Sequence, residues 1–170
     1  MASTHLSLPI RLPFEEQERH ARLGNLTKSV ANTLIEQYWT LEHLTGIDDY
    51  SYRAWRYFDK AEAFADVDLY LPSRYKRCVM QKVGETLRSH ADKREAFQSI
   101  QSVLPDHKIR RIHTRKIKEQ LWNADEYIKS GYVDLLIGQL NSYYGKHGRF
   151  PESYFEMQEC PSYSKGVLPY

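Results

Sequence analysis

Residues 71–100, "LPSRYKRCVMQKVGETLRSHADKREAFQSI", predict a long amphipathic helix that begins at Pro72-Ser73. Proline suits the first turn of a helix, and serine is a common N-cap or first-turn residue. Apolar residues recur at helical spacing along one side: Tyr75, Val79, Val83 and Leu87. Polar and mostly basic residues line another side: Arg74, Arg77, Gln81 and Arg88. We expect Gly84 to be the weak point of this helix and Pro105 to end it.

The residues before this helix predict a strand, a long helix and a short aromatic helix. "THLSLPIRL" (residues 4–12) alternates apolar and polar residues as a strand does, and Pro9 favours an edge position. From Phe14 the apolar spacing changes to three and four, which predicts one helix that continues to Gly46 and the Asp48-Asp49 pair. "YSYRAWRYFDKAEAF" (residues 50–64) predicts a shorter helix.

Two more helices are predicted after residue 105. One runs from Ile109 to Ile128, with four residues facing inward: Ile117, Leu121, Ala124 and Ile128. The other covers "YVDLLIGQLNSYYGK" (residues 132–146), which is apolar on most sides and is therefore predicted to be the buried centre of the fold. Proline, glycine and aromatic residues after Gly148 predict a short strand and an extended tail.

These patterns predict a mainly α protein with a small β component. The helical part is a bundle of about five helices, with one or more short edge strands near the termini. We divide the chain into an N-terminal strand (1–13), a helical lobe (14–147), and a short strand with an extended tail (148–170).

Composition excludes several classes of protein. A hydrophobic fraction of 41% in 170 residues is enough for a buried core. Cys78 and Cys160 stand far apart, which fits a reducing compartment and argues against a disulfide scaffold or a zinc site. No apolar run approaches the roughly 20 residues of a membrane span, and the N-terminus lacks the order of a signal peptide. We therefore expect a cytoplasmic protein with no membrane contact.

Charge is distributed unevenly along the chain. Residues 74–118 hold 13 Lys and Arg against 4 Asp and Glu, a net charge of +9. Residues 1–73 and 119–170 carry net charges of −4 and −3. A basic middle between acidic ends is typical of a protein that binds a polyanion, although solvated helix faces rich in Lys and Arg are the alternative.

The densest part of the basic block is "KIRRIHTRKIK" (residues 108–118). On a helix, Lys108, Arg111, Arg115 and Lys118 would form one stripe, and Arg74, Arg77 and Arg88 would form a second row on the preceding helix. Two such rows at helix-packing distance would make a groove for a phosphate backbone. The candidate nucleic-acid-binding residues are Arg74, Lys76, Arg77, Lys82, Arg88, Lys108, Arg110, Arg111, Arg115, Lys116 and Lys118.

Aromatic residues supply candidate base-stacking positions. Tyr52, Trp55 and Tyr57 lie in the short helix beside Arg53 and Arg56. Burial in the core is the more common use of such residues and is the alternative interpretation.

Signatures of catalysis are missing from the sequence. The seven histidines show no HxH, HxxxH or HExxH spacing for metal ligands, and no phosphate-binding glycine loop or GxSxG is present. The Asp66-Val67-Asp68 triplet is most simply a surface turn. We therefore predict a protein that is not an enzyme and needs no metal or other cofactor.

The N-terminal region resembles the opening of the transposon-encoded OrfB (TnpB) family, the RNA-guided nucleases related to type V CRISPR effectors. The resemblance is carried by "IRLPFEEQERHARLGNLTKSVANTLIEQ" (residues 10–37) and by the Leu-Pro-Ser start of the helix at 71–73. In that family a strand ends in an Arg-Leu-x-Pro-like turn, and the helix after it carries an acidic/Gln pair and an Asn. The matching positions are Arg11, Leu12, Pro13, Glu16, Gln17 and Asn32.

The resemblance covers about the first 100 residues and implies a module that holds guide RNA and the guide–target duplex. Family members are longer and carry a RuvC-like nuclease and a zinc ribbon, neither of which this chain contains. The resemblance thus implies a non-cutting part of a larger or split effector, or a nuclease-free descendant. The implied partners are structured RNA, an RNA–DNA hybrid or DNA, together with a nuclease subunit or downstream domain.

Two other functions remain open at the level of sequence. One is a dimeric DNA-binding transcriptional regulator that places a helix in the major groove. The other is a helical adaptor or inhibitor that binds a protein through residues 50–64 and the Tyr-rich tail.

Overall fold

The fold is described from a computed structural model, which covers residues 12–47, 53–60, 63–64, 71–104, 110–126, 128 and 130–166. This part of the chain is mainly α, as predicted, and contains no strand. The predicted N-terminal strand lies almost entirely outside it. The described helices are α1 (Phe14–Tyr38), α2 (Leu41–Ile47), α3 (Trp55–Lys60), α4 (Ser73–Val103), α5 (Thr114–Asn123), α6 (Ser130–His147) and α7 (Tyr154–Met157).

Helix α4 is the element on which the other helices pack. Its 31 residues make a rod of about 46 Å, and it begins after Pro72 as predicted. Its first half packs against α1, α2 and α3 through the predicted apolar stripe, in which Val79, Val83 and Leu87 are buried. Its second half packs against α5 and α6 through Phe97 and Ile100. The fold therefore has two apolar clusters side by side along one helix.

The buried centre is α4 and not α6, so the prediction for residues 132–146 was wrong. Helix α6 buries only one side, which holds Val133, Leu136, Ile137 and Leu140. Leu135 on the other side is 44% exposed. A helix that is apolar on most sides can still lie at the edge of a small domain, because too few helices are present to surround it.

The single helix predicted from Phe14 to Gly46 is two helices, α1 and α2, separated at Trp39-Thr40. The Thr40 hydroxyl oxygen accepts a hydrogen bond from the backbone N–H of His43 at 3.3 Å and thereby caps α2. The Trp39 ring packs edge-on against His90 and Phe155, with centroid distances of 4.9 and 5.4 Å. The break thus directs a large aromatic residue to the junction of the two clusters.

Helix α5 is shorter than the predicted Ile109–Ile128. Residues 110–113 are not helical, because Asn141 of α6 binds the backbone of Ile112 twice. The N–H of Ile112 donates to Asn141 Oδ1 at 2.8 Å, and Asn141 Nδ2 donates to the Ile112 carbonyl at 3.0 Å. Ile117 and Leu121 are buried as predicted, whereas Ala124 is exposed, contrary to prediction.

The chain after Gly148 returns to the body of the fold without forming a strand in its described part. It forms the short helix α7, and residues 158–166 then run in extended form along α1 and α4. Asn32 of α1 binds the backbone of Tyr163 in both directions, at 2.7 Å to its N–H and 3.2 Å to its carbonyl. The Tyr163 hydroxyl donates to the Lys82 carbonyl at 2.9 Å. We call residues 158–166 the tail segment.

Helix α4 continues without a break through Gly84, where the missing side chain lets α3 approach it. A Cβ at Gly84 would lie 2.6 Å from the Cβ of Ala54, whereas a Cβ at Gly138 of α6 would meet nothing within 4 Å. We expect Gly84→Ala to lower the free energy of unfolding by about 1–3 kcal/mol because of overpacking. Gly138→Ala is the control and should raise it by about 0.5–1 kcal/mol through helix propensity. Denaturant unfolding measures both, and a shift of the same sign in the two variants would contradict this account.

His90 makes stability depend on pH. Burial, reinforced by the positive charge of Lys93, lowers the pKa of His90 from 6.5 to about 4. The unfolded chain therefore binds a proton that the folded protein does not, and stability falls as pH drops from about 6.5 to 4. Each unit of pKa difference corresponds to about 1.4 kcal/mol. Urea titrations across this range should show a smaller decline in His90→Gln than in the parent protein, while the exposed control His20→Gln should follow the parent.

Candidate nucleic-acid interface

The described candidate cations, apart from Lys82 and Arg88 in the middle of α4, lie in two places on the molecule. The first, which we call the Trp55 surface, consists of Trp55 and Arg56 of α3 with Arg74, Lys76 and Arg77 in the first turn of α4. The second, which we call the α5 surface, consists of Arg110 and Arg111 with three residues of α5: Arg115, Lys116 and Lys118.

Aromatic rings hold the cations of the Trp55 surface in place. The guanidinium carbon atoms of Arg77 and Arg56 lie 4.5 and 5.7 Å from the centre of the Trp55 ring. The ammonium of Lys76 lies 5.5 Å from the centre of the Phe64 ring. A cation over an aromatic face is attracted to it but keeps its full charge. Such stacking therefore orients a guanidinium while leaving its N–H donors able to bind a phosphate.

No carboxylate offsets the charge of these three residues within the described part of the chain. None of the ion pairs found there includes Arg56, Lys76 or Arg77. The first turn of α4 contains no acidic residue. The positive end of the helix dipole adds to the potential at this point. The described residues of the Trp55 surface therefore carry a net positive charge.

Several other candidate cations are paired with acids. Arg115 Nε lies 3.4 Å from Glu119 Oε1, Lys118 Nζ lies 2.8 Å from Asp134 Oδ1, and Lys82 Nζ lies 3.3 Å from Glu85 Oε2. All three pairs are at the surface, where such contacts add little stability but do reduce the local net charge. Arg110, Arg111 and Lys116 are exposed and have no ion pair with the described residues.

The described residues of the two predicted basic rows do not form a groove. The Trp55 surface lies at the start of α4, whereas α5 packs near Phe97. Arg77 and Phe97 are separated by about 30 Å along the helix at 1.5 Å per residue. The predicted helical stripe is also broken, because Arg111 precedes α5. Lys108 lies outside the described residues.

Acidic residues further separate the two surfaces. A depression of about 220 Å³ between α4 and the start of α6 is lined by Asp92, Glu95 and Glu126. Glu126 accepts a hydrogen bond from the Ser99 hydroxyl at 3.0 Å. Lys93 offsets part of this charge, because its Nζ lies 5.9 Å from the centre of the Tyr132 ring, which lines the same depression. The stretch of α4 between the two surfaces therefore carries charges of both signs.

The three candidate stacking residues differ in their surroundings. Tyr57 packs against Tyr38 and Phe58, and its hydroxyl lies 2.7 Å from His43 Nδ1, so it belongs to the core. Trp55 is half-buried and carries the two guanidinium groups. Tyr52 lies outside the described residues. Arg88, a candidate phosphate ligand, is half-buried.

Two contributors to the Trp55 surface were missed at the level of sequence. From the sequence, Arg56 was named only as a neighbour of the candidate stacking residues, and Phe64 was given no role. The adjacent Trp55-Arg56 pair is the one signal that could have identified the first. Phe64 meets Lys76 only in the folded chain, because 12 residues separate them.

An exposed polar cluster joins α6 to α7 away from both basic surfaces. Hydrogen bonds from Arg149 and from the Tyr143 hydroxyl lower the pKa of Glu156 to about 2. The same bond to Glu156 raises the pKa of Tyr143. Since each polar group already has a partner, we assign the cluster the structural role of holding α7.

The described residues offer no other chemical centre. They contain no group of three or more His, Cys, Asp or Glu placed to hold a metal ion. Burial, with the charge of Glu36, raises the pKa of the Cys160 thiol, which makes it less reactive. None of the helices in this part of the chain is long and apolar enough to cross a membrane.

Comparisons of the chain with protein-family models, with curated proteins and with solved structures found no match. What the chain does must therefore be argued from the Trp55 and α5 surfaces themselves.

Proposed function

We propose that this chain is a non-catalytic nucleic-acid-binding protein or module that contacts the phosphate backbone through the Trp55 surface. The observation that carries the proposal is the placement of Arg56, Lys76 and Arg77, whose described partners are aromatic rings rather than carboxylates. Each can neutralise a phosphate without first breaking an ion pair with a described residue. Guanidinium groups also match the two oxygens of a phosphate.

Binding of this kind positions a nucleic acid without reading its sequence. Phosphate contacts supply affinity through the release of counterions, and base contacts supply specificity. Of the two described aromatic candidates, Trp55 is the more accessible to a base, since Tyr57 belongs to the core, and stacking on an indole tolerates every base. We therefore expect strong salt dependence and weak sequence preference, which disfavours the transcriptional regulator.

The resemblance to the OrfB family favours structured RNA or an RNA–DNA hybrid as the ligand. In the structure, Gln17 and Asn32, two of the residues that carry the resemblance, form hydrogen bonds with the protein's own main chain. Gln17 Nε2 donates to the Leu12 carbonyl at 2.5 Å, and its N–H donates to the Pro13 carbonyl at 3.0 Å, which shapes the start of α1. Asn32 binds Tyr163. These contacts give the residues a structural role in this fold and do not bear on the choice of ligand.

Replacing Arg56 and Arg77 together by Gln is expected to weaken binding at least tenfold. Two lost phosphate contacts should also reduce the slope of log affinity against log salt by about 1.4–1.8, at 0.7–0.9 per phosphate. Fluorescence anisotropy with labelled RNA hairpin, RNA–DNA hybrid and DNA duplex, between 50 and 300 mM salt, measures both quantities.

Lys82→Gln/Lys118→Gln is the matched control, because it removes the same charge from residues that are paired with acids. It should change affinity less than threefold. Equal losses in the two double variants would mean that net charge alone drives binding. Absence of binding to all three ligands at low salt would refute the proposal.

A second candidate, protein binding, is favoured by one observation on α5. Trp122 is 71% exposed and lies in a shallow depression of about 660 Å³ with Arg115, Lys118 and Glu119. An exposed tryptophan within a ring of polar residues is common at protein interfaces. The sequence predicted that an adaptor would bind its partner through residues 50–64 and the tail. Tyr57, Phe58 and Tyr163 of those segments pack inside the fold, so the Trp122 surface is the better candidate for such a contact. A partner that stays bound after nuclease treatment and in high salt, but is lost in Trp122→Ala, would support it.

A further inference from the structure

A cavity of about 310 Å³ lies where α4 ends and α5 begins. Its walls come from Leu104 at the end of α4, from the extended residues 111–113, and from the first two turns of α5. This volume is at the lower end of the range for small-molecule sites, about 300–1,000 Å³. It can hold a group the size of one nucleotide but not a duplex.

The floor of the cavity is apolar. Ile112 and Ile117 are buried in the second cluster, and Leu104 is half-buried beside them. Flat apolar groups, such as the face of a nucleobase, bind to such a floor because they displace water from it. The floor is also firmly placed, since Ile117 is held within a helix and Ile112 is held by the Asn141 side chain.

The rim of the cavity is basic. Arg111 and His113 are both exposed, whereas Ile112 between them is buried. Lys116, from the first turn of α5, completes the rim with Gln120. None of the described residues that line the cavity is acidic. The other two depressions described above contain glutamate, so this one is distinguished by its positive charge.

We propose that this cavity binds a single nucleotide unit, with the phosphate on Arg111 and Lys116 and the base on Leu104, Ile112 and Ile117. The unit is either a free nucleoside monophosphate or the phosphorylated end of a nucleic-acid strand. The second form rests on the proposed function and adds to it, because the Trp55 surface would hold the backbone while this cavity holds an end.

The direct test is methyl NMR on the full chain with three probes: adenosine monophosphate, adenosine and inorganic phosphate. Adenosine monophosphate should shift the methyl signals of Leu104, Ile112 and Ile117 at submillimolar concentration. Adenosine and phosphate should each need at least tenfold more, because each supplies only half of the contacts.

Two double variants, each of which removes two positive charges, distinguish binding in the cavity from a general effect of net charge. Arg111→Gln/Lys116→Gln should abolish the shifts at the same concentration. Arg115→Gln/Lys118→Gln, whose residues lie on the same surface but do not line this cavity, should leave them unchanged. Gln120→Trp, which fills the mouth of the cavity without changing charge, should also abolish them. No shift with adenosine monophosphate at 10 mM, or equal loss in both charge variants, overturns the inference.

Oligonucleotides with phosphorylated and unphosphorylated ends then identify the source of the nucleotide. If the ligand is a strand end, the phosphorylated form should bind about tenfold more tightly, and Arg111→Gln/Lys116→Gln should remove the difference while Arg56→Gln/Arg77→Gln should keep it. If adenosine monophosphate shifts the methyl signals but the phosphorylated and unphosphorylated oligonucleotides bind equally well, the ligand of the cavity is a free nucleotide. Methyl shifts without any oligonucleotide binding refute the proposed function and leave the cavity site standing.

Discussion

The continuity of α4 is the constraint on which the rest of the structure depends. A helix of 31 residues buries Val79, Val83 and Leu87 in one apolar cluster and Phe97 and Ile100 in another. Neither cluster has a second layer of its own, so both need this helix as a shared wall. A break in α4 would separate them. This explains why Gly84, which costs helix propensity, is placed where α3 needs close approach rather than at a bend.

Two asparagines connect extended chain to this helical frame. Asn141 binds the backbone of Ile112, and Asn32 binds that of Tyr163, each through both its donor and its acceptor. Such a pair of bonds satisfies the backbone groups of one residue as a neighbouring strand would. The protein can therefore hold extended segments against helices without a sheet. The first pair sets the rim of the proposed nucleotide cavity, and the second holds the tail segment.

Periodic features of the sequence predicted the helical class, the start of α4, and the burial of Val79, Val83, Leu87, Ile117 and Leu121. These depend on local spacing, which a sequence displays directly. The break at Trp39, the non-helical form of residues 110–113 and the central place of α4 depend on partners that are distant in sequence. Residues 108–118 have a helical charge pattern, but Asn141 determines their conformation. The basic character of the block was visible, whereas its division into two surfaces depended on how α5 packs.

The sequence predicted the partners of only some of these cations. Lys82, Arg115 and Lys118 meet acids, while Lys76 and Arg77 meet aromatic rings, although all five look alike in a charge profile. Spacing of three or four residues indicates the Lys82–Glu85 and Arg115–Glu119 pairs. Neither Lys118–Asp134 nor Arg77–Trp55 has such a spacing, so neither could be inferred before the fold was known.

The Asn32–Tyr163 contact joins residues 131 positions apart. Closing a loop of that length in a disordered chain costs about 4 kcal/mol of conformational entropy, more than two hydrogen bonds return. The contact therefore forms after α1 and α4 have been brought together by their own apolar faces. During synthesis the helical frame can assemble first, and the tail segment docks as a late and separately reversible step. We therefore expect a stage of folding in which the groove between α1 and α4 is still open, before the tail segment closes it.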